Sequence, residues 1–293
     1  MLTEADYVKQ QQSLGRRIHE HDGVFWEEVY PFYCKPAFVY RAFDPGTARP
    51  ARWRSLLGYS HQVCARERGN RTVPFMVLER ERLDDFGLMK LPTKKRNQVR
   101  RALEHCAIQP ITDLELVLER LREINLSQAV RQEQGAGAEA PARRYTEEAE
   151  AWRAQIRREF ALEEREWWGA FVDGALVAYL RTYQVDGIRI IQQTKADTAY
   201  FKFHPVDALY YEVLSRAATD ATCQRIVNGD PRHESLNHFK EQFLFRAVEY
   251  PYYSSNAWLV NAAKRLVLGR DRQSRSVLAD KLTIRPGTAG TEE

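Results

Sequence analysis

Between Glu234 and Phe243 the apolar residues Leu236, Phe239 and Phe243 recur at helical spacing, and Lys240 lies on the same side, four residues after Leu236 and three before Phe243. A cation on an apolar stripe has two explanations. Its stem can cover core while the ammonium reaches water, or the ammonium can stabilise negative charge that develops on an oxygen during a reaction. His204 stands directly before Pro205, where an imidazole of ordinary pKa, about 6.5, serves as base or phosphate contact or does neither. Asn228, Asp230 and His233 follow a short β-rich run, and Asp230 is equally suited to capping the next helix. Lys94, Lys95, Arg96, Arg100 and Arg101 crowd five cations onto a short basic segment, which invites either a phosphate-bearing partner or a solvated face beside acidic neighbours. Tyr210 belongs to a buried stripe and Tyr211 points elsewhere.

The elements that must position these groups are legible from periodicity. Trp167–Val172, Ala175–Tyr183 and Ile188–Thr194 read as strands of an antiparallel meander, joined by Asp173-Gly174 and Asp186-Gly187, dipeptides that tolerate the positive φ of tight hairpins. Val206, Leu209, Tyr210, Val213, Leu214, Ala217, Ala218 and Ala221 then fall at helical spacing behind Pro205, a good first-turn residue. A strand over Arg225–Asn228, a helix over Glu234–Phe243 and a strand over Leu244–Tyr250 follow. A helix between two strands of one sheet implies a parallel crossover, so the sheet is mixed and the class α+β. Strands at such a switch can part and leave a crevice for a ligand.

Upstream, Ala37–Tyr40, Tyr59–Cys64, Thr72–Leu78 and Phe86–Leu91 read as a small sheet with polar turns between. The pattern turns helical after Pro92, and Leu114, Val117, Leu118, Leu121 and Ile124 form one stripe. Gln132–Ala142 has no periodicity and reads as a connection, and Arg143–Glu166 is helical and charged. Near the C-terminus Trp258, Leu259, Ala262, Ala263, Leu266 and Val267 lie beside Lys264 and Arg265. A basic amphipathic helix over residues 256–268 would dock on its own domain or make a peripheral membrane contact. Pro286–Glu293 reads as a frayed tail.

The totals set outer bounds. The chain has 293 residues, room for two moderate units, with 44% hydrophobic and 29% charged residues, the balance of a globular protein. Lys plus Arg, 44, exceed Asp plus Glu, 40, by 4, so attraction to phosphate must come from local clustering. No stretch approaches the roughly 18 consecutive apolar residues of a membrane span, and Met1–Gly15 lacks a signal-peptide core, so the expectation is a cytoplasmic protein without a transmembrane segment. Cys34, Cys64, Cys106 and Cys223 are far apart and read as reduced thiols rather than a metal or disulfide framework. His19 and His21 around Glu20 read as a solvated turn, not a metal site.

The segments Phe171–Tyr179 (F-V-D-G-A-L-V-A-Y) and Leu236–Phe245 (L-N-H-F-K-E-Q-F-L-F), with the basic stretch Leu91–Leu103 (L-P-T-K-K-R-N-Q-V-R-R-A-L), resemble the FemABX-like branch of the GNAT acyltransferase superfamily. The resemblance covers most of Leu91–Pro251 and implies two tandem GNAT-like halves, each a mixed sheet flanked by helices. It sets the expected organisation: a degenerate N-terminal GNAT-like half over 1–105, a C-terminal acyltransferase domain over 106–255, and an amphipathic helix and tail over 256–293. Phe239-Lys240 matches the branch's phenylalanine-lysine pair, whose lysine is thought to contact the donor carbonyl. Two departures stand out. The turn Lys202–Leu209 (K-F-H-P-V-D-A-L) lacks the Gly-rich cradle that holds the pyrophosphate of coenzyme A in typical GNAT enzymes, and Leu244 stands where relatives carry glycine.

What the resemblance implies is a bacterial-type N-acyltransferase that moves an acyl or aminoacyl group from acyl-CoA or aminoacyl-tRNA to an amine-bearing acceptor, with no metal. On that reading Lys240, His204 and Asp230 are the catalytic candidates, and Phe239, Lys202, Tyr211 and Asn228 the donor-binding ones. Arg96, Arg100 and Arg101 would meet an acceptor, a phosphate or the backbone of a tRNA. The alternative is a catalytically inactive GNAT-like module that binds RNA or another anionic partner.

Overall fold

The computed structural model describes residues 1–136, 140–231 and 234–255, and of residues 132–136, 140 and 141 the backbone alone. The expected amphipathic helix over 256–268, the tail, and His233 lie outside the described residues. The described chain packs as two units, Met1–Thr3 with Phe75–Ala247, and Glu4–Pro74 with residues 248–255.

The smaller unit opens with α1 (Glu4–Ser13), followed by β1 (Ile18–His21), β2 (Val24–Tyr30), β3 (Tyr33–Pro36), β4 (Ala42–Phe43) and β5 (Gly58–Val63). Strands β1, β2 and β3 are antiparallel, β3 and β4 each lie parallel to β5, and the last strand, β12 (Arg246–Ser254), runs antiparallel to β5. The expected solvated turn at His19–His21 is instead β1; the turn comes one step later, at Asp22-Gly23, where φ is 52° and 70°. Ala37–Tyr40, expected as a strand, is a bend and turn after β3: the Ala37 N–H still reaches the Phe25 carbonyl at 2.8 Å, but from Phe38, whose side chain is buried, the chain leaves the ladder. His61 is wholly buried in β5, stacked on Tyr59 and edged by Trp26 and Phe43.

The larger unit takes β6 (Arg71–Glu79) from Phe75 on, then α2 (Arg80–Leu83), α3 (Thr93–His105), β7 (Ala107–Pro110), α4 (Leu118–Ala136), α5 (Ala140–Arg143) and α6 (Ala149–Phe160). The meander β8 (Arg165–Val172), β9 (Ala175–Val185) and β10 (Ile188–Ala196) follows, then α7 (Pro205–Thr219), β11 (Arg225–Val227) and α8 (Glu234–Glu241). The sheet order is β6-β11-β10-β9-β8-β7, and only β10 and β11 are parallel, joined through α7 as the crossover argument requires. Both faces are covered, so β9 is buried almost throughout. Ala178 and Leu180 pack with Leu209 and Val213 of α7, while Leu176 and Tyr179 pack with Leu121 and Ile124 of α4 and Trp152 of α6.

Three expectations change here. Phe86–Leu91 forms a short 3-10 turn over Leu88–Lys90 and not a strand; Gly87 breaks the run, and Phe86 and Leu88 merely lean on the core. The supposed connection Gln132–Ala142 continues α4 to Ala136 and resumes as α5, the single glycine within α4, Gly135, costing that helix only about 1 kcal/mol; residues 137–139 lie outside the described residues. Leu114 and Val117 sit in the turn before α4 rather than within it. All four cysteines are free thiols, Cys64 exposed and the others buried. Among the described residues no helix is long and apolar enough to cross a membrane.

Both hairpin turns of the meander hold two consecutive positive φ values, 49° and 79° at Asp173-Gly174 and 44° and 80° at Asp186-Gly187. A side chain at Gly174 would meet open space, whereas one at Gly187 would lie 3.0 Å from both Gln224 and the Thr222 carbonyl. Gly174→Ala should therefore cost about 1 kcal/mol, the backbone strain alone, and Gly187→Ala distinctly more, as denaturant midpoints will show. His61 supplies a pH signature. Its Nδ1–H donates to the Gln62 carbonyl at 2.8 Å, and burial pushes its pKa below the ordinary 6.5, with Asp44 pulling weakly the other way. Protonation is thus easier in the unfolded chain, so stability holds above pH 6.5 and falls as pH drops below it. His61→Gln should flatten that fall; an unchanged pH profile of the denaturant midpoint would remove His61 as its source.

Candidate functional site

The site grows from the parting of β10 and β11. They pair only at Ile188↔Arg225, Arg189↔Ile226 and Ile190↔Val227. Beyond that point β10 bulges between Ile191 and Gln193 and stays with β9 to Ala196. The other strand stays with β6, its neighbour since Arg225: the Asn228 N–H donates to the Met76 carbonyl at 2.9 Å, the Met76 N–H to the Gly229 carbonyl at 2.8 Å, and Gly229 takes a φ of 63°.

Two side chains meet at the parting. Lys240, 4% exposed, donates from Nζ to the Asn228 carbonyl at 2.5 Å. The Asn228 side-chain amide donates to the Tyr210 hydroxyl at 2.9 Å. Burial raises the Tyr210 pKa, the hydrogen bond from Asn228 acting against it. Tyr210 packs edge-on against Phe239 and tilted against Phe243, at 5.0 and 5.4 Å between ring centroids. The spacing that put Lys240 on the apolar side of its helix therefore describes the molecule, but the ammonium reaches a backbone carbonyl and not water.

The helix carrying Lys240 is closed by backbone bonds that fix it in place. The Phe245 N–H returns to the Lys240 carbonyl at 3.3 Å and the Leu244 N–H to Glu241 at 2.9 Å, the two-bond closure in which the left-handed residue is usually glycine. Leu244 fills that place at φ 69°, and Arg82 donates to its carbonyl at 2.9 Å.

The second half of the site surrounds the start of α7. Lys95, 2% exposed, is ion-paired with the equally buried Asp207, and its ammonium lies 4.5 Å from the centre of the Phe239 ring and 5.2 Å from that of Phe243. This corrects the sequence reading, which placed Lys95 in a run that meets either a phosphate-bearing partner or solvent. His204 caps α7 in the left-handed region, at φ 53°, with Nδ1 3.6 Å from the other Asp207 oxygen. A cavity of about 440 Å³ opens here, walled by His204 and Tyr210 with the first turn of α7, by Thr194 and Ala196 of β10, by Leu236 and Phe239 of α8, and by Gln128 and Arg131 of α4. The Arg131 guanidinium lies over the Phe201 ring at 4.7 Å.

The remaining candidates are scattered. Asn228 stands at the parting and Phe239 on the cavity wall, but Asp230, half-buried in the loop after β11, does not line the cavity. Lys202 is exposed beside Phe203, and Tyr211 points to the other side of α7, its ring 6.0 Å from Phe86. On α3, Arg96 leans on Met89 and Thr93, while Arg100 and Arg101 are exposed. Sequence reasoning missed Lys95, Tyr210 and Thr194. The signal for Lys95 was its spacing from Val99 and Ala102, which puts it on the buried side of α3.

No protein-family profile and no curated protein matches the chain. Solved structures do. FemX superposes with a TM-score of 0.58 at 11% identity, over 89% of this chain and 93% of its own. A conserved protein of unknown function from Bacteroides thetaiotaomicron gives 0.53 at 16% identity, over 86% and 89%. L-PGS from Bacillus licheniformis gives 0.50 at 14%, over 86% and 90%. These likenesses show a GNAT-like α+β fold.

Because Lys95 and Asp207 are buried together, removing one strands the other. Lys95→Met should destabilise the protein by about 3 kcal/mol, and Lys95→Met with Asp207→Asn by clearly less than the two single losses summed. Additive losses in a denaturant double-mutant cycle would show that the two charges do not depend on each other.

Proposed function

We propose that the larger unit is an N-acyltransferase that moves an acyl or aminoacyl group from an activated donor to an amine. One observation carries the reading: a buried ammonium, that of Lys240, sits where β10 and β11 part, behind rather than in the wall of a cavity large enough for a small acyl group, and reaches that wall through Asn228, which holds Tyr210. The GNAT-like fold shared with FemX and the Phe239-Lys240 match to the FemABX-like branch support it.

In this reaction the acceptor nitrogen attacks the donor carbonyl carbon, a C–N bond forms, and the carbonyl oxygen becomes an oxyanion that Lys240 stabilises. Collapse breaks the C–O bond of an aminoacyl ester or the C–S bond of a thioester. The proton lost by the amine passes to the His204 imidazole, whose Nδ1 lies 3.6 Å from Asp207, and is returned to the leaving oxygen or sulfur. Tyr210 and Phe239 wall the acyl pocket and Asn228 holds Tyr210. Arg100 and Arg101, with Arg96 beside them, are proposed to meet the phosphates of the donor or acceptor. The absent Gly-rich cradle favours aminoacyl-tRNA over acyl-CoA as donor, and the same absence supports the second reading, an inactive module that binds RNA.

Two measurements separate these. Filter binding of aminoacylated and deacylated tRNA at low and high salt should show tight, salt-sensitive binding, and melting temperature should not respond to acetyl-CoA; a rise with acetyl-CoA and no tRNA binding would retire the aminoacyl-tRNA version. Aminoacyl transfer to an amine acceptor should fall roughly 100-fold or more in Lys240→Met, with stability lowered by about 2 kcal/mol because the Asn228 carbonyl loses its charged donor. Full activity in that variant would take Lys240 out of the mechanism, and tRNA binding without transfer by the unaltered protein would favour the inactive module.

A further inference from the structure

In the smaller unit two turns carry large apolar side chains into solvent. Phe32 is 44% exposed, Trp53 62%, Leu56 59% and Leu57 46%. They form one patch. The Leu57 N–H donates to the Phe32 carbonyl at 2.9 Å, and Glu28 accepts from the Phe32 N–H at 3.2 Å while its second oxygen lies 4.0 Å from Arg54. The Arg54 guanidinium in turn covers the Trp53 ring at 4.1 Å.

Folding does not account for this arrangement. Tyr30 and Tyr33 are paired, so Pro31-Phe32 is a two-residue turn whose second residue needs positive φ, the place of glycine or asparagine. Phe32 occupies it at φ 63°, at a cost in backbone strain and with its ring largely in water. A residue that breaks the local rule without a gain in packing points to a use outside the unit. The neighbouring charges narrow that use. The segment from Arg49 to Leu57 holds Arg49, Arg52 and Arg54 and no carboxylate, and Glu28 is engaged by Arg54 and the Phe32 amide. A tryptophan and leucines at the tip of turns with arginines at their side match the two layers of a lipid surface, acyl boundary and phosphate headgroups.

We propose that the tip formed by Phe32, Trp53, Leu56 and Leu57, flanked by Arg49, Arg52 and Arg54, docks on an anionic phospholipid surface. The apolar side chains enter the headgroup boundary and the guanidinium groups meet lipid phosphates. The proposal does not rest on the transfer reaction.

The test is flotation of the full chain with phosphatidylcholine vesicles, with and without phosphatidylglycerol. Binding should rise about tenfold with the anionic lipid and weaken with salt. Phe32→Gly is the decisive variant, because glycine adopts that φ freely and the fold is kept or strengthened; it and Leu56→Ser/Leu57→Ser should each lose most of the binding, with near-ultraviolet circular dichroism unchanged. Brominated acyl chains should quench tryptophan emission in the unaltered protein, and Trp53→Phe should bind but lose that quenching. Equal flotation with both vesicles, full binding by Phe32→Gly and the Leu56/Leu57 variant, or quenching that survives Trp53→Phe and vanishes in Trp258→Phe would overturn the proposal, the last by moving the contact to the segment after Ser255.

Discussion

A strand that leaves its neighbour must find new partners for its peptide groups, and in this protein that requirement organises the larger unit. After Val227 the chain abandons β10. The Asn228 N–H stays with Met76 of β6, and its carbonyl finds its new partner in the Lys240 ammonium. A buried lysine is costly unless it is paired or hydrogen-bonded, and the carbonyl freed at the parting gives the Lys240 ammonium such a partner while gaining a charged donor itself. The bulge in β10, the positive φ at Gly229 and the backbone closure of α8 at Leu244 all serve to hold the two in register.

The start of α7 is governed by a second buried charge pair. Asp207 in a first helical turn is favoured by the helix dipole, yet alone it would repel any anion approaching the cavity. Lys95 from α3 cancels that charge, and the rings of Phe239 and Phe243 seal the pair from solvent. The basic helix thus faces two ways, with Lys95 inward and Arg100 and Arg101 outward. Phe239 joins the halves of the site, since it packs on Tyr210 at the parting and on Lys95 at the charge pair.

The larger unit was legible wherever local chemistry was strong. Asp173-Gly174, Asp186-Gly187 and Pro205 mark turns and a helix start whose geometry admits few residues, and the meander, α7 and the parallel crossover follow from them. The same Asp-Gly signal at Asp22-Gly23 marked the β1–β2 hairpin but was overshadowed by the histidines before it. Ala37–Tyr40 and Phe86–Leu91 misled because a short apolar run buries equally well as a turn against a core. Lys240 could be assigned to an apolar face from spacing, but its partner is a backbone carbonyl in a distant loop, which no side-chain pattern encodes. Lys95 was lost in a run of cations because charge density hides the one member that points inward.

In the transfer proposed above, the Lys240 ammonium faces the carbonyl to be attacked. A crystal structure with a stable amide-linked analogue of an aminoacyl-tRNA 3′ end tests it most directly. The analogue's carbonyl oxygen should lie within about 3 Å of Lys240 Nζ, with the acyl side chain against Tyr210 and Phe239. An analogue bound elsewhere, with Lys240 still held on Asn228 and the cavity wall untouched, would contradict it.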